Sequence, residues 1–321
     1  MREPIAWDGR LPITQPGFYS GIPLKVYHSQ KICPGPSVSS SGLRRVLEIN
    51  GGSPAHFYAE WSGNPNMVEA DDREAWILGR AAHHMLLGQP DFARYFVVRP
   101  PHWDSYRTKE ARQWRDSVPK DQTILTDGEV KKIAGMAESL GKDVLVRGER
   151  ARTKDGKEFY QGLLNGWVEC SGFWQDRETG LWIKIRPDAV PPHSGQFCDL
   201  KTTLSVQRMD IDTTLAKYGY HQQGALLAEG APICLDMVLE SFALIFVEKM
   251  RPPHCVQVVQ VGAEDLLTGH EQNHSAMRLI ARCIRDNNWP GPGAGDVYEA
   301  RLPEWYRKRA QMLLADEKRG L

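Results

Sequence analysis

Apolar residues recur every three or four positions over several stretches of the chain, a spacing typical of helices that bury one face. The clearest stretch runs from about Asp71 to Leu87, where Ala75, Leu78 and Ala82 share a face and acidic residues at the start suit the helix dipole. Further helices are predicted from Ser39 to Leu47, through most of 100–150, over about 205–230 and 263–286, and from Pro303 onward. His83 and His84 fall in the last turns of the 71–87 helix.

Short β-type runs replace this pattern after about residue 163. The runs are Trp167–Trp174, Leu181–Ile185 and Gln196–Leu200, and the sequence Asp176–Gly180 forms a turn between the first two. They predict a three-strand meander, and two more strands are predicted over about 237–248 and 254–261. Strands set among many helices indicate an α/β (α+β) fold.

The first 37 residues are rich in glycine and proline, which predicts an extended arm with turns rather than a packed unit. Residues 38–321 are predicted to form a single domain. Its parts are a helical region at about 38–160, a core at about 161–262 and C-terminal helices at about 263–321. The chain has no internal repeat and no low-complexity tract.

The composition of this 321-residue chain, 41% hydrophobic and 25% charged, is that of an ordinary globular protein. No stretch approaches the roughly 18 apolar residues of a membrane helix. The start also lacks the order of a secretory signal, so we expect a cytoplasmic protein with no membrane partner. Forty basic and forty acidic residues cancel, so any nucleic-acid contact must depend on a local basic patch.

One candidate patch combines basic and aromatic residues between positions 106 and 115. Its members are Tyr106, Arg107, Lys109, Arg112, Trp114 and Arg115. The mixture fits contact with a phosphate backbone, and it equally fits the solvated face of a helix.

Six cysteines are scattered along the chain without a Cys-x-x-Cys pair. This spacing argues against a zinc site, a redox motif and a four-thiolate iron–sulphur cluster. Free thiols are expected.

The most informative stretch reads Arg186-Pro187-Asp188, then ten intervening residues, then Asp199-Leu200-Lys201. Side chains alternate along a strand, so Asp199 and Lys201 share one face while Leu200 points into the core. A meander can bring Asp188 alongside from the end of the previous strand, and Glu169 from the strand before that. Asp-x-Lys alone is usually a solvated surface pair. The prediction therefore depends on its combination with the preceding Pro-Asp and with Glu169 one hairpin upstream.

Clustered carboxylates of this kind suit one or two Mg²⁺ ions, with Mn²⁺ as a substitute. Such ions can activate water, hold a phosphate and relieve charge on a leaving oxygen. Lys201 would hold or polarise the attacking water and stabilise transition-state charge. A general-base role for Lys201 would require a lowered pKa.

Several patches match one known family in order over nearly the whole chain. The N-terminal patches are Gly17-Phe-Tyr, Ile22-Pro23, Tyr27-His28, Ser39-Ser-Ser-Gly-Leu43 and Ser53-Pro-Ala-His-Phe57. The later patches are Leu78-Gly-Arg-Ala-Ala-His83, Thr179-Gly-Leu, Arg186-Pro-Asp188, Asp199-Leu-Lys-Thr-Thr203 and Tyr220-His-x-Gln223. With these patches the chain resembles the PD-(D/E)XK nuclease superfamily, and within it the phage-type exonucleases related to exonuclease VIII (RecE-like).

The resemblance implies a restriction-endonuclease-like core with a central mixed β-sheet flanked by helices. It also implies a role for each matching position. The implied metal ligands are Glu169, Asp188, Asp199 and the backbone carbonyl of Leu200.

The remaining roles also come from the resemblance. Lys201 would be the catalytic lysine, and His83 a metal ligand or phosphate contact. Gln223, with Tyr220, would orient the substrate or the lysine. His84, beside His83, receives no role. Leu227 departs from the family pattern, which often has an aromatic residue there, so one substrate contact is absent or moved.

The activity implied by the resemblance is that of a bacterial or phage exonuclease that digests double-stranded DNA from its ends. It would work 5′ to 3′ and leave a single strand for recombination through an annealing partner protein. A processive enzyme without net charge would need to enclose DNA, which a ring-shaped homo-oligomer would do. The alternatives are a CRISPR-adaptation or helicase-linked nuclease on the same core, or a DNA-binding protein whose core is inactive.

Overall fold

The computed structural model describes residues 2–67, 74–89, 91–152, 156, 158–191, 195–293 and 295–318. The helices of these residues are α1 (Leu24–His28), α2 (Ser40–Val46), α3 (Pro54–Glu60), α4 (Glu74–Leu86), α5 (Phe92–Tyr95), α6 (Lys109–Ser117), α7 (Asp127–Lys142), α8 (Val144–Arg147), α9 (Arg208–Tyr218), α10 (Tyr220–Leu235), α11 (Ala263–Asp286) and α12 (Glu304–Lys318). Short 3₁₀ turns cover Gln30–Ile32 and Glu48–Asn50.

The strands form two five-stranded sheets and two small pairs. The strands are β1 (Ile5–Ala6), β2 (Gly17–Ser20), β3 (Ser37–Ser39), β4 (Phe96–Val98), β5 (Thr123–Leu125), β6 (Glu149–Arg152), β7 (Glu158–Gln161), β8 (Trp167–Val168), β9 (Ser171–Gln175), β10 (Trp182–Ile185), β11 (Ala189–Val190), β12 (Gln196–Thr203), β13 (Ser241–Glu248) and β14 (Val256–Gln260). We call β1-β2-β9-β10-β3 the N-terminal sheet and β14-β13-β12-β11-β8 the central sheet.

The central sheet is mixed. Its strands β12 and β13 pair in parallel over eight residues, whereas every other pair of neighbouring strands in this sheet is antiparallel. Both of its faces are covered. On one face Leu200 and Ile245 pack against α4 and α7. On the other face Phe197 and Phe246 pack against α10, α11 and part of the N-terminal sheet. The expected α+β architecture, with a mixed sheet flanked by helices, is confirmed.

The predicted three-strand meander over 167–200 is wrong in one respect, because its first strand is divided between the two sheets and its second strand, β10, belongs to the N-terminal sheet, whereas its third strand, β12, belongs to the central sheet. β9 pairs with β10 in the N-terminal sheet, and β8 pairs with β11 in the central sheet. The register continues across the break, where the Glu169 N–H donates to the Asp188 carbonyl at 3.1 Å. Glu169 has φ 53°, a left-handed conformation that bends the ribbon. The result is one bent hairpin with Glu169 opposite Asp188 at the bend.

The N-terminal segment is not an extended arm, contrary to the expectation from its glycines and prolines. β2 pairs with β9, with Phe18 opposite Gly172. Ile22, Tyr27 and Ile32 are buried beside Phe173 of the hairpin. Glycine and proline set the turns here, but the apolar side chains between the turns bury enough surface to pack the segment against the N-terminal sheet.

The helical segments predicted over about 205–230 are the two helices α9 and α10, separated by Gly219 in the left-handed conformation (φ 62°). The first turn of α10 then lies against α11. A Cβ on Gly269 would sit 2.6 Å from the carbonyl oxygen of His221, so this approach needs glycine. The close packing sets the position of Tyr220 and Gln223.

The other predicted helices agree with the structure. The 71–87 helix appears as α4, with residues 71–73 outside the described part of the chain. The 263–286 helix coincides with α11, and α12 follows Pro303. Among the described residues, no helix is both long enough and apolar enough to cross a membrane.

Candidate metal centre

The bend of the hairpin lies against one edge of β12, and Asp188 connects the two. Its Oδ2 accepts the backbone N–H of Leu200 at 2.6 Å. The same oxygen lies 3.5 Å from Nδ1 of His83, which reaches it from α4. Asp188 is buried at 7% exposure, so these contacts form away from bulk water. The structure therefore brings together His83 and Asp188, which are 105 positions apart in sequence.

Asp199 and Lys201 lie side by side on the same face of β12. Their carboxylate and ammonium form an ion pair in which Asp199 is almost fully buried. The side-chain amide of Gln223 on α10 donates to Oδ1 of Asp199 at 2.9 Å. The Lys201 Nζ also lies 4.7 Å from the centre of the Tyr220 ring. The two α10 residues named from the sequence thus contact the aspartate and the lysine.

Glu169 is held by two partners that the sequence patterns did not single out. The Arg186 guanidinium bonds its Oε2, and Gln89 Nε2 donates to Oε1 at 3.0 Å. Arg186 also donates to the Ile22 carbonyl at 2.9 Å and to Ser171 Oγ at 3.1 Å. Strand alternation before Asp188 could have identified Arg186, whereas Gln89 follows a helix and carries no signal.

His83, Glu169 and Asp188 each offer one donor atom, and these atoms all lie within 4.8 Å of one another. Two carboxylate oxygens and an imidazole in that space fit a divalent cation. The Leu200 carbonyl faces the same edge as its N–H, which bonds Asp188, because the N–H and C=O of a strand residue point to the same neighbour. Asp199 lies next to this group with its carboxylate engaged by Lys201 and Gln223.

The buried charges change each other's proton affinity. Burial raises the pKa of Asp199 to about 6, with a further contribution from the Asp188 charge. Burial also acts to raise the pKa of Asp188, but His83 and Lys201 together hold it below its ordinary value. Burial acts to lower the pKa of Lys201, yet the neighbouring Asp199 carboxylate raises it above the ordinary value. Lys201 is therefore a cation near neutral pH, suited to stabilising negative charge rather than to acting as a base.

A cleft of about 430 Å³ opens beside these residues. Its walls carry hydroxyls, cations and aromatic rings. The lining includes Ser39, Ser40, Ser41, Arg44, Glu169, Lys184, Arg186, Asp188, Lys201, Tyr27, Tyr218, Tyr220, Gln223 and Leu227. Burial lowers the pKa of Lys184, at 4% exposure, to about 8. Several cations around two carboxylates fit an anionic ligand that approaches a metal ion.

The candidate basic patch near residue 110 lies on and around α6 with mostly exposed side chains. The Arg99 and Arg115 guanidinium groups lie 5.5 and 5.4 Å from the Tyr106 ring centre. This arrangement is compatible with both interpretations of the patch.

All six cysteines are free thiols. Cys33, Cys198 and Cys234 lie in three different hydrophobic clusters, and Cys255 is exposed. At least four of the six thiols thus lie in separate parts of the fold.

His83 and His84 allow a direct test of the metal centre. We expect His83→Ala to weaken Mn²⁺ binding at least about 10-fold, since it removes a donor atom beside Asp188. His84→Ala should leave Mn²⁺ affinity unchanged, because His84 is buried among Phe92, Tyr95 and Phe96 instead. Calorimetric titration of both folded variants measures this. Equal affinities would exclude His83 as a ligand.

Comparison with known proteins adds two findings. Residues 39–300 match the model of a family described as "PDDEXK-like domain of unknown function (DUF3799)". A crystal structure described as a "Putative exonuclease" from Eubacterium rectale superposes with a TM-score of 0.59 at 14% identity, covering 88% of this chain and 96% of that one. The latter likeness shows a shared fold.

A second structure, that of SSO0001, covers 65% of this chain and 87% of its own at 13% identity, but its TM-score of 0.22 is too low to compare folds. No curated protein matches the chain in sequence.

Proposed function

Since the chain belongs to the PDDEXK-like family (DUF3799) that its residues 39–300 match, we propose that it is a divalent-metal-dependent nuclease that hydrolyses phosphodiester bonds of DNA. More specifically, we propose an exonuclease that acts on the ends of linear double-stranded DNA. The bound ion would be Mg²⁺, with Mn²⁺ as a substitute.

The observation that carries this proposal is the position of Lys201. Its ammonium lies beside the buried carboxylate of Asp199 and on the wall of the same cleft as Asp188 and Glu169. Hydrolysis of a phosphodiester builds up negative charge on the phosphate oxygens in the transition state. A cation fixed beside the metal-binding carboxylates would stabilise that charge. A surface Asp-x-Lys pair would not be buried or surrounded by three further polar side chains.

The residues present fit the metal ion, because His83, Glu169 and Asp188 place three donor atoms within one ion's reach. When bound, one or two such ions supply Lewis-acid stabilisation of the phosphate and lower the pKa of water. Arg186 and Gln89 hold the Glu169 carboxylate in place. Gln223 fixes the Asp199 carboxylate, and Asp199 in turn positions the Lys201 ammonium.

Lys201 would stabilise the negative charge on the non-bridging phosphate oxygens and orient the attacking water. Its raised pKa keeps the proton on the amine, so the lysine acts through its charge. Lys184 and Arg186, two positions apart on the hairpin, line the same cleft and would attract the phosphate backbone.

Exonuclease action on duplex ends, in the 5′ to 3′ direction, is proposed on the order of the sequence patches that resemble the RecE-like exonucleases. The Eubacterium rectale protein of the same fold is described as a "Putative exonuclease", which supports exonuclease action in general. An annealing partner protein and a ring-shaped homo-oligomer belong to the same proposal. A helicase-linked or CRISPR-type enzyme with an iron–sulphur cluster is disfavoured by the separated cysteines.

The substrate is tested with linear and circular duplex DNA in Mg²⁺, with phosphorothioate linkages blocking either the 5′ or the 3′ ends. We expect nucleotides from linear DNA only, and none when the 5′ ends are blocked. Cleavage of the circle would instead indicate an endonuclease. DNA binding without any cleavage would favour an inactive binding protein.

Oligomeric state is tested by light scattering on the same preparation, with and without DNA. An oligomer of defined size is expected at working concentration. A protein that stays monomeric in both conditions would contradict the ring.

A further inference from the structure

A second group of potential metal ligands lies on α10 and α11, away from the cleft. Glu229 Oε2 lies 3.1 Å from Nε2 of His274 and 3.6 Å from Nδ1 of His270. The two imidazoles are one helical turn apart on α11, with ring centres 4.3 Å from each other. All three donor atoms lie within 4.8 Å of one another. None of these residues lines the cleft that contains Lys201.

A hydrogen bond to its other oxygen orients the carboxylate of Glu229. The indole N–H of Trp174, a buried residue of the hairpin, donates to its Oε1 at 3.3 Å. This leaves Oε2 directed at the two histidines. Metal-binding carboxylates and imidazoles are typically held by such outer hydrogen bonds, which set the direction of the donor atom.

We propose that Glu229, His270 and His274 bind a transition-metal ion of the Zn²⁺ type. Two imidazoles and one carboxylate are a common donor set for Zn²⁺, whereas Mg²⁺ prefers a set in which oxygen donors predominate, as they do in the cleft. Donor atoms at the corners of a tetrahedron around Zn²⁺ are about 3.3 Å apart for bonds of about 2.0 Å. The observed 3.1 and 3.6 Å separations are close to that edge length.

Access and charge at this site also fit a bound cation. The side chain of His270 is 47% exposed while Glu229 and His274 are mostly buried, so the ion could enter from solvent and keep a water ligand. Arg278 lies one turn after His274 on α11, and its guanidinium forms an ion pair with Glu178 of the hairpin at 3.3 Å. The positive charge of Arg278 is therefore balanced by an acidic side chain.

The consequence of binding would be structural. At the start of α10, His221 and Gln222 already bond Gln272 and Asn273 of α11. An ion on Glu229 would join the same two helices a second time, two turns further along α10. It would thereby hold the helix that carries Tyr220 and Gln223, and stabilise the folded chain by binding it selectively.

The site is tested on the full chain by Zn²⁺ binding and Co²⁺ absorption in excess Mg²⁺. The variants are Asp188→Asn, which removes a cleft ligand, His270→Gln with His274→Gln, and His102→Gln, which changes an exposed histidine elsewhere. We expect Asp188→Asn and His102→Gln to retain one tight Zn²⁺ per chain and a rise in Tm on its addition. The double variant should bind Zn²⁺ at least about 100-fold more weakly and show no rise.

Two results would overturn the proposal. One is a double variant that binds Zn²⁺ as tightly as His102→Gln. The other is loss of all tight Zn²⁺ binding in Asp188→Asn alone, which would assign the ion to the cleft. Two further single variants, Glu229→Gln and His270→Gln, control for misfolding of the double variant, since the His270 side chain is half-exposed. Both should also lose the Co²⁺ absorption.

Discussion

Asp199→Asn and Lys201→Ala should each lower the rate of DNA hydrolysis by at least about 1000-fold. Asn preserves the shape of Asp199 and can still accept the Gln223 hydrogen bond, but it removes the charge that positions the Lys201 ammonium. Ala at 201 removes the cation itself. The measurement is the initial release of nucleotides from end-labelled linear duplex in Mg²⁺, at saturating DNA.

The chain contains a matched control for this pair. Asp127 and Lys131 form an exposed ion pair of 2.7 Å on α7. Asp127→Asn and Lys131→Ala should leave the rate unchanged, because exposed pairs contribute little and these lie outside the cleft. Circular dichroism and thermal unfolding should show that all four variants are folded. If folded Asp199→Asn or Lys201→Ala keeps activity within tenfold of the control variants, the proposed site is wrong.

Arg186→Met should destabilise the fold by about 3 kcal/mol, the lower end of the range for breaking a buried ion pair, since 20% of the Glu169 side chain is exposed. The change leaves Glu169 without its guanidinium partner. It also removes the donors to the Ile22 carbonyl and Ser171. Three chain segments meet at this one side chain. Urea unfolding, with the free energy extrapolated to water, measures the loss.

Arg45→Met is the control for Arg186→Met. Arg45 donates to Glu60 through Nε and Nη2 at 3.1 and 2.9 Å, but the Glu60 side chain is 63% exposed. Water can therefore replace the guanidinium, and we expect a loss below about 1 kcal/mol. If the two variants lose equal stability, Arg186 does not secure the bend. In that case the position of Glu169 must be set by Gln89 and the backbone instead.

The bend of the hairpin explains why residues from so many elements meet in one place. A straight ribbon would keep β8 to β11 in one sheet and leave Asp188 beside a regular ladder. Because the ribbon turns at Glu169, the pairing of β11 with β12 is limited, among the described residues, to Ala189 and Cys198. The edge of β12 beyond that point is open, and the Leu200 N–H and carbonyl face Asp188 there. The metal centre thus lies at the bend, where the hairpin passes from the N-terminal sheet to the central sheet.

Local sequence determined the helices and the chemistry of single positions in this protein. Helical spacing located α4, α10 and α11, and strand alternation placed Asp199 and Lys201 on one face, because both patterns depend only on near neighbours along the chain. Only the tertiary structure decided that the hairpin bends between two sheets and that the first 37 residues pack against it. Pairing partners and the bend depend on buried surface contributed by distant segments, which no local pattern records. The sequence likewise gave a role to Glu169 but none to Arg186 or Gln89, whose bonds to the Glu169 carboxylate join residues 17 and 80 positions apart.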